Sequence, residues 1–432
     1  MDSDVQHVLF EDAAVGQLAP LTALRPCGAL RIGARALYEV QCAALGEAKP
    51  AVAVRPTVAP LLARWGWRDF ERAGGGKPWC CIHAAWLPEA ESLEAIRGLR
   101  PGEGLRWPNG QALAFVTGER DLVHAIIRQG CAAAGERIRW RPVAADCWLS
   151  HPARLIDQLE RGLRGDLEQQ VQAGRGPGAA TLVPVAPRDG VYVPGGPVYA
   201  APDVHFTPPV TLDARGGPIV LGAQVEVKPG TTLEGPLAVD AGAILLGGRI
   251  ARSYIGPGTR VHGEVSDCIF QGWSNKSHAG FLGHSYCGEW VNLGASTTGS
   301  NLKNNYGEIR CWDGRAWIAT GRQKLGSIVG DQTRTAIGTL LPSGSVIGVS
   351  VNLFGAAEMA PKWVPSFVWG VGETAVEYEL ERCLVTVERV LARRDQRLDD
   401  GYRRALLAEY LLSAEPRAAY LGASGAGAHG GE

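Results

Sequence analysis

Between Glu264 and Tyr306 the chain reads EVSDCIFQGWSNKSHAGFLGHSYCGEWVNLGASTTGSNLKNNY, gathering Lys276, His278, Asn292, Asn301 and Lys303 in one run. Histidine titrates near neutral pH, so His278 offers a proton acceptor under physiological conditions. Lys276 and Lys303, with Arg252 and Arg260 just upstream, offer the cations that a phosphate group needs. Such a polar cluster stands out because the surrounding sequence is built from small and aliphatic residues.

Those surroundings repeat. Leu221, Val227, Leu233, Val239 and Leu245 are spaced six apart, with Gly222, Gly230 and Gly242 placed to turn corners. The rhythm resumes at Ile255 and Val261, and Phe281, Cys287 and Leu293 continue it as expected inward positions. A six-residue period with small residues at the bends is the signature of a parallel β-helix, whose coils share one aliphatic core. The segment GEIRCWDGRAWIATGRQK interrupts the pattern, and SIVGDQTRTAIGTLLPSGSVIG restores it. A β-sandwich would alternate with period two instead.

The remaining chain divides into recognisable parts. Over residues 1–175, strand candidates His7–Phe10, Trp79–His83 and Ala112–Thr117 alternate with helix candidates Ala34–Leu45, Glu89–Leu99, Arg120–Gln129 and Pro152–Ala173. That alternation predicts an α/β, Rossmann-like layer with a mainly parallel sheet. A Gly-, Ala- and Pro-rich linker is expected over 176–194, the β-helix over 195–370, helices over 371–415 and a flexible tail over 416–432. The arginines of the helical part (Arg389, Arg393, Arg394, Arg403, Arg404) read as a solvated face.

Composition narrows the function classes. Among 432 residues, 43 Lys and Arg nearly balance 44 Asp and Glu, which gives no basic surface for nucleic acid. The 10 cysteines form no CxxC pair, and no long apolar span or secretory leader is seen. A soluble cytoplasmic protein with buried thiols is the expectation.

At the level of motifs the chain resembles a bacterial family. The blocks GGPIVLGA, GEVSDCIFQGWSNKSHAGFLGHSYCGEWVNLGASTTGSNLKNNYGE and FVWG carry the resemblance, together with HVLFEDAAVGQLAPLTALRPCGALRIG near the N-terminus. The family is an alternate form of the bifunctional N-acetylglucosamine-1-phosphate uridyltransferase / glucosamine-1-phosphate N-acetyltransferase. The resemblance implies a nucleotidyltransferase-like α/β domain joined to a left-handed parallel β-helix, with acetyl-CoA and UTP as cosubstrates and Mg2+. It also implies a homotrimer, with active sites between neighbouring helices.

Specific residues can be matched. A histidine three positions before a Tyr-Leu-Gly-Asp element, then Asn-Ile-Gly-Ala-Gly-Thr and a later asparagine, correspond to His278, Phe281–His284, Asn292–Thr297 and Asn301. The resemblance makes His278 the catalytic base and Glu264 the carboxylate that orients it. Asn292, Asn301 and Phe281 would hold the sugar, Lys276, Lys303 and Arg260 its phosphate, and Ala295 and Ser296 would line the acetyl-CoA path. Phe281 replaces a tyrosine, Ser266 stands where a lysine is usual, and His284 is left structural.

The N-terminal loop GQLAPLTALRPCGAL keeps the Pro-Leu-Thr and Arg-Pro skeleton of a nucleotidyltransferase loop. Gln17 replaces its arginine and Cys27 its lysine, and the strand ending at His83 lacks the metal aspartate. Arg25, Arg31 and Gln17 are the expected nucleotide contacts, and Asp12, or Glu11, the expected Mg2+ ligand. The expected function is acetylation of glucosamine-1-phosphate followed by uridyl transfer to UDP-N-acetylglucosamine. Alternatives are a single-activity transferase acting on another sugar phosphate, or a non-catalytic scaffold.

Overall fold

The computed structural model describes residues 5–74, 76–143, 146–355 and 359–425. Contacts divide the chain into two units. The first reaches Ser150 but gives up Ala19–Ala23 and Arg31–Arg35 to the second, which continues from His151.

Seven strands form the sheet of the first unit: β1 (Gln6–Phe10), β2 (Ala51–Ala53), β3 (Arg68–Asp69), β4 (Trp79–His83), β5 (Glu103–Arg106), β6 (Ala112–Thr117) and β7 (Arg139–Pro142). Their order is β3-β2-β1-β4-β6-β5-β7. The strands β3, β2, β1 and β4 run parallel, whereas β6 is antiparallel to both β4 and β5. Strands such as WCCIH and ALAFVT are largely apolar and buried along their whole length because both faces of the sheet are covered. Leu9, Ile82 and Leu113 pack on one face; Val8, Phe10, Cys81 and Phe115 pack on the other. Helices α1 (Leu37–Leu45), α2 (Ala90–Arg97) and α3 (Arg120–Gln129) connect them.

The second unit opens with helix α4 (Ala153–Ala173), whose Leu155, Leu159, Leu163 and Leu167 form a buried stripe. A parallel β-helix follows, its earliest parallel strand Val191–Gly195 beginning inside the expected linker, where Val183–Pro184 also adds an antiparallel strand to one wall. One wall alone stacks nine short strands in parallel, from Val198–Ala200 to Trp363–Val364. The aliphatic residues spaced by six, Leu221 to Leu245, all lie in the shared core. The interrupting segment forms an antiparallel hairpin, Arg310–Trp312 with Trp317–Ala319.

The phase of the repeat is not constant. From Leu245 the inward residues are Ile250, Ile255, Val261, Val265, Phe270, Lys276, Leu282, Cys287 and Leu293. Steps of four and five occur among the sixes. The step from Leu282 to Cys287 is five, so counting back by six from Cys287 lands on Phe281 and misplaces it. Register confirms the shift: Glu264 pairs with Phe281, and core residue Val265 pairs with Leu282. Phe281 therefore faces outward.

Corner residues stack as well. Arg252, Asp267 and His284 occupy left-handed backbone on successive coils, at φ 46°, 56° and 48°. Trp273 and Trp290 do the same at another corner, their rings stacked at 5.3 Å and 8°. Helices α5 (Leu380–Ala392), α6 (Asp400–Leu412) and α7 (Ala414–Gly425) end the described chain. Residues expected as tail are thus helical to Gly425; the rest of that tail lies outside the described residues.

Candidate functional site

Two strands and a corner carry His278, Glu264 and Phe281 of the β-helix. His278 sits in the corner between Asn275–Lys276 and Phe281–Gly283, and its side chain is exposed. Its ring makes no hydrogen bond or ion pair among the described residues, so it is open to solvent. Glu264 is also exposed and forms an ion pair with Arg249 at 3.5 Å. Arg249, Glu264 and Phe281 occupy one column of the ladder, which sets Glu264 beside Phe281. Within a single chain its carboxylate is thus directed to arginine, and no hydrogen bond joins it to His278.

Phe281, Asn301, Thr298, Ser300, Leu340 and Met359 line a shallow concavity of about 310 Å³. Asn301 is fixed there by its amide, which donates from Nδ2 to His284 Nδ1 at 2.9 Å. An accepting Nδ1 means a neutral imidazole with its proton on Nε2. Burial lowers the His284 pKa; the charges of Lys324 and Arg252 act in the same sense, and Asp267 opposes them. Asp267 Oδ2 lies 3.9 Å from Nδ1 and is held in a two-point pair by Arg252 at 2.8 Å. Arg252 is therefore engaged with Asp267, and His284, structural in the sequence reading, belongs to the rim of the concavity. The sequence carries a signal for it: histidine stands where the resembled element has aspartate.

Lys276 requires a correction. The sequence reading gives it a grip on a substrate phosphate, yet it pairs in register with Val261 at an inward position and is 2% exposed. Its ammonium donates to the carbonyls of His262 (2.9 Å) and His278 (3.0 Å). Burial depresses its pKa to about 8. A lysine reads as a surface residue in sequence, but here the two-residue alternation of the strand points it inward.

The other expected contacts fall in different places. Lys303 lies in the loop leaving the coil and donates to the Glu308 carbonyl at 3.4 Å. Ala295 and Ser296 form the corner that stacks one coil on from that of His278, with Ser296 at φ 59°. Asn292 is on another wall from Asn301, bridged to Asn275 and Arg334; Asn275 Nδ2 donates to its Oδ1 at 2.9 Å. Arg260 shares that wall, paired in register with Asn275.

In the first unit the loop after β1 is anchored by Glu11, which is 1% exposed. Its carboxylate accepts from the Cys27 N–H and from Arg55 Nε at 3.0 Å. Both oxygens are thereby used, which leaves Asp12 as the better placed Mg2+ ligand of the pair. Asp12 accepts from Ala14 N–H (2.8 Å) and pairs with His83 Nε2 (3.0 Å). Burial raises its pKa, but His83 and the Ala14 N–H outweigh this and keep it below the usual carboxylate value. An ionised single carboxylate suits Mg2+ that completes its shell with water and substrate phosphates. Among the described residues no group of three or more His, Cys, Asp or Glu could hold a metal alone.

Gln17 is half-buried on the turn Ala13–Leu18. Arg25 is 1% exposed, so its guanidinium does not present itself to a solvent-borne phosphate. Arg31 belongs to the second unit. Its N–H donates to Tyr286 Oη at 3.0 Å, its Nη1 to the Ala34 carbonyl at 2.8 Å, and its guanidinium lies over the Tyr254 ring. Both arginines are thus placed away from the role expected for them. The ten cysteines are free thiols, and no described helix is long and apolar enough to cross a membrane.

Comparison with known proteins adds two findings. Residues 7–174 match the sugar nucleotidyl transferase family model. A stretch of 94 residues is 31% identical to a protein of Sulfurisphaera tokodaii named bifunctional sugar-1-phosphate nucleotidylyltransferase/acetyltransferase. That stretch covers 22% of this chain and 23% of the relative, so the chain spans about a quarter of the relative's length in this match.

Proposed function

We propose that this protein is a transferase of sugar-nucleotide synthesis, which acetylates glucosamine-1-phosphate from acetyl-CoA and then transfers a uridyl group to give UDP-N-acetylglucosamine. The observation that carries the first step is the exposed His278 imidazole, which has no hydrogen bond or ion pair among the described residues and stands three residues before Phe281 of the concavity. An amine attacks a thioester only when neutral, and His278 is free to accept the proton it sheds. Glu264, once released from Arg249 or met from a neighbouring chain, would orient that ring. Asn301 and Phe281 would seat the sugar, Ala295 and Ser296 would border the acetyl-CoA, and Lys303 would face its charge. A backbone N–H would polarise the thioester carbonyl.

The second step draws its support from the family match over residues 7–174. Gln17 and Asp12 flank the loop after β1, and Mg2+ at Asp12 would neutralise the nucleotide's phosphates. The burial of Arg25 and the engagement of Arg31 favour a second reading, in which only the acetyl transfer occurs. A homotrimer is part of the proposal. The exposed apolar Ile337, Leu340 and Met359 on the β-helix are consistent with a covered surface. A monomeric mass in solution would remove that part.

The test is acetyl-CoA consumption with glucosamine-1-phosphate, with and without UTP, and products identified by mass. N-acetylglucosamine-1-phosphate without any UDP-sugar would select the single-activity reading. No product of either kind would reject both.

A further inference from the structure

The inward column that carries Lys276 is otherwise fitted to an apolar core. In register it runs Val227, Leu245, Val261, Lys276, Leu293, Thr335 and Leu353, all buried. An ammonium at such a position costs desolvation energy that a valine or leucine would not. Packing alone therefore does not account for Lys276.

The corner that follows it does. On the preceding rung the chain turns from Val261 to Glu264 with His262 and Gly263 alone. The equivalent turn from Lys276 to Phe281 takes Ser277, His278, Ala279 and Gly280. Among the described residues no backbone N–H donates to the His278 carbonyl of this longer corner. The Lys276 ammonium does so instead, at 3.0 Å, and also reaches the His262 carbonyl of the preceding rung at 2.9 Å. Gly263 leaves it room, since a Cβ there would lie 3.2 Å from Nζ. The far end of the corner is tied by the Glu264 N–H, which donates to the Gly280 carbonyl at 3.3 Å. Thr335, the other polar member of the column, has a matching place: its Oγ1 accepts from the Gly294 N–H at 2.9 Å and bonds Thr297 Oγ1 at 2.7 Å, at either end of the corner of Ala295 and Ser296. Polar inward residues in this column thus coincide with long corners.

We propose that Lys276 is a positioning residue, which ties the carbonyls of His262 and His278 together and so fixes the corner that presents the His278 ring. The proposal rests on the reading of His278 as the base of acetyl transfer. Lys276 touches no reactant and acts only through the backbone of His278. Ser277 adds a second tie, its Oγ donating to Asn275 Oδ1 at 2.5 Å. Displacing a reacting group by about 1 Å can cost about 100-fold in rate. Loosening this corner therefore lowers kcat, while the surface that binds the sugar, and with it KM, is left in place.

Lys276→Met removes the donors and keeps an unbranched apolar stem. Its kcat for acetyl transfer to glucosamine-1-phosphate is expected to fall about tenfold, with KM within about twofold of the parent's. Lys276→Gln, which keeps an N–H donor, is expected to fall between the two. Gly258→Ala strains a different corner and is expected to keep the parent's kcat, which separates a general loss of stability from loosening at His278. Hydrogen–deuterium exchange of the same full-length proteins reads the corner without reference to catalysis. Lys276→Met is expected to speed exchange in peptides spanning residues 262–266 and 277–283, and not in those spanning 341–353. Parent-like exchange in the first two peptides, or a parent-like kcat in Lys276→Met, would overturn the proposal. A parent protein that transfers no acetyl group would instead overturn the reading of His278, while faster exchange in Lys276→Met would still support the tie itself.

Discussion

The Asn301 side chain donates its amide to Nδ1 of His284 across 2.9 Å, joining two coils at the rim of the concavity. The bond holds only while His284 is neutral, because a protonated ring would turn its acceptor into a second donor. Burial first, then Lys324 and Arg252, lowers the His284 pKa from 6.5 against the pull of Asp267. A lowered pKa means the unfolded chain takes up the proton first. The stabilisation is complete above about 6.5 and is lost as pH falls through the lower folded value. Urea midpoints measured from pH 7.5 downward should fall more steeply for the parent than for His284→Asn. Asparagine tolerates the left-handed backbone and offers an acceptor that does not titrate. Equal slopes would remove His284 from this account.

Lys276 makes a prediction of the same kind with a different window. Its pKa falls on folding from 10.5 to about 8, so stability is greatest above 10.5 and declines as pH falls towards 8. The buried ammonium costs at most about 3 kcal/mol at neutral pH, offset by its two carbonyl contacts. Lys276→Met should flatten the alkaline rise in unfolding free energy. It should also leave the KM for a sugar phosphate within about twofold, since the amine does not face the solvent. A tenfold rise in KM would restore Lys276 to the binding surface.

Gly258 supports the stacked tryptophans. Its φ is +61°, and an added Cβ would lie 2.5 Å from the Trp273 ring, which stacks on Trp290. Gly258→Ala combines left-handed strain with displacement of that ring. A loss of about 2–3 kcal/mol in unfolding free energy is expected. A change below about 0.5 kcal/mol would show that the stack yields freely.

In the first unit, Glu11 ties the loop at Cys27 to Arg55 through a nearly fully buried carboxylate. Glu11→Gln should destabilise that unit by about 2 kcal/mol. Acetyl transfer, which the proposal assigns to the β-helix, should be retained. Parallel loss of both would contradict the assignment of separate sites.

The walls of the β-helix are legible in the sequence because an aliphatic residue at every sixth position fits the geometry of stacked coils and little else. Strand β4, strand β6 and helix α3 are equally legible, as continuous apolar runs and a helical stripe. Local phase is not. Corners shortened by one residue move Phe281 outward and place Leu282 in the core, and no composition signal marks such a corner. Lys276 misleads because its polarity suggests exposure, whereas the strand turns it inward. The arginines of the N-terminal loop escape for another reason: the Arg31 N–H meets Tyr286 at a separation of 255 residues, which no local pattern encodes.

The central claim is that His278 accepts the proton of an amine attacking acetyl-CoA. It is tested by thiol release from acetyl-CoA with glucosamine-1-phosphate, comparing the parent protein with His278→Ala and His278→Gln. The account predicts transfer by the parent and a fall of about 100-fold or more in kcat in both variants, with little change in KM. Transfer that continues undiminished without the imidazole would contradict it.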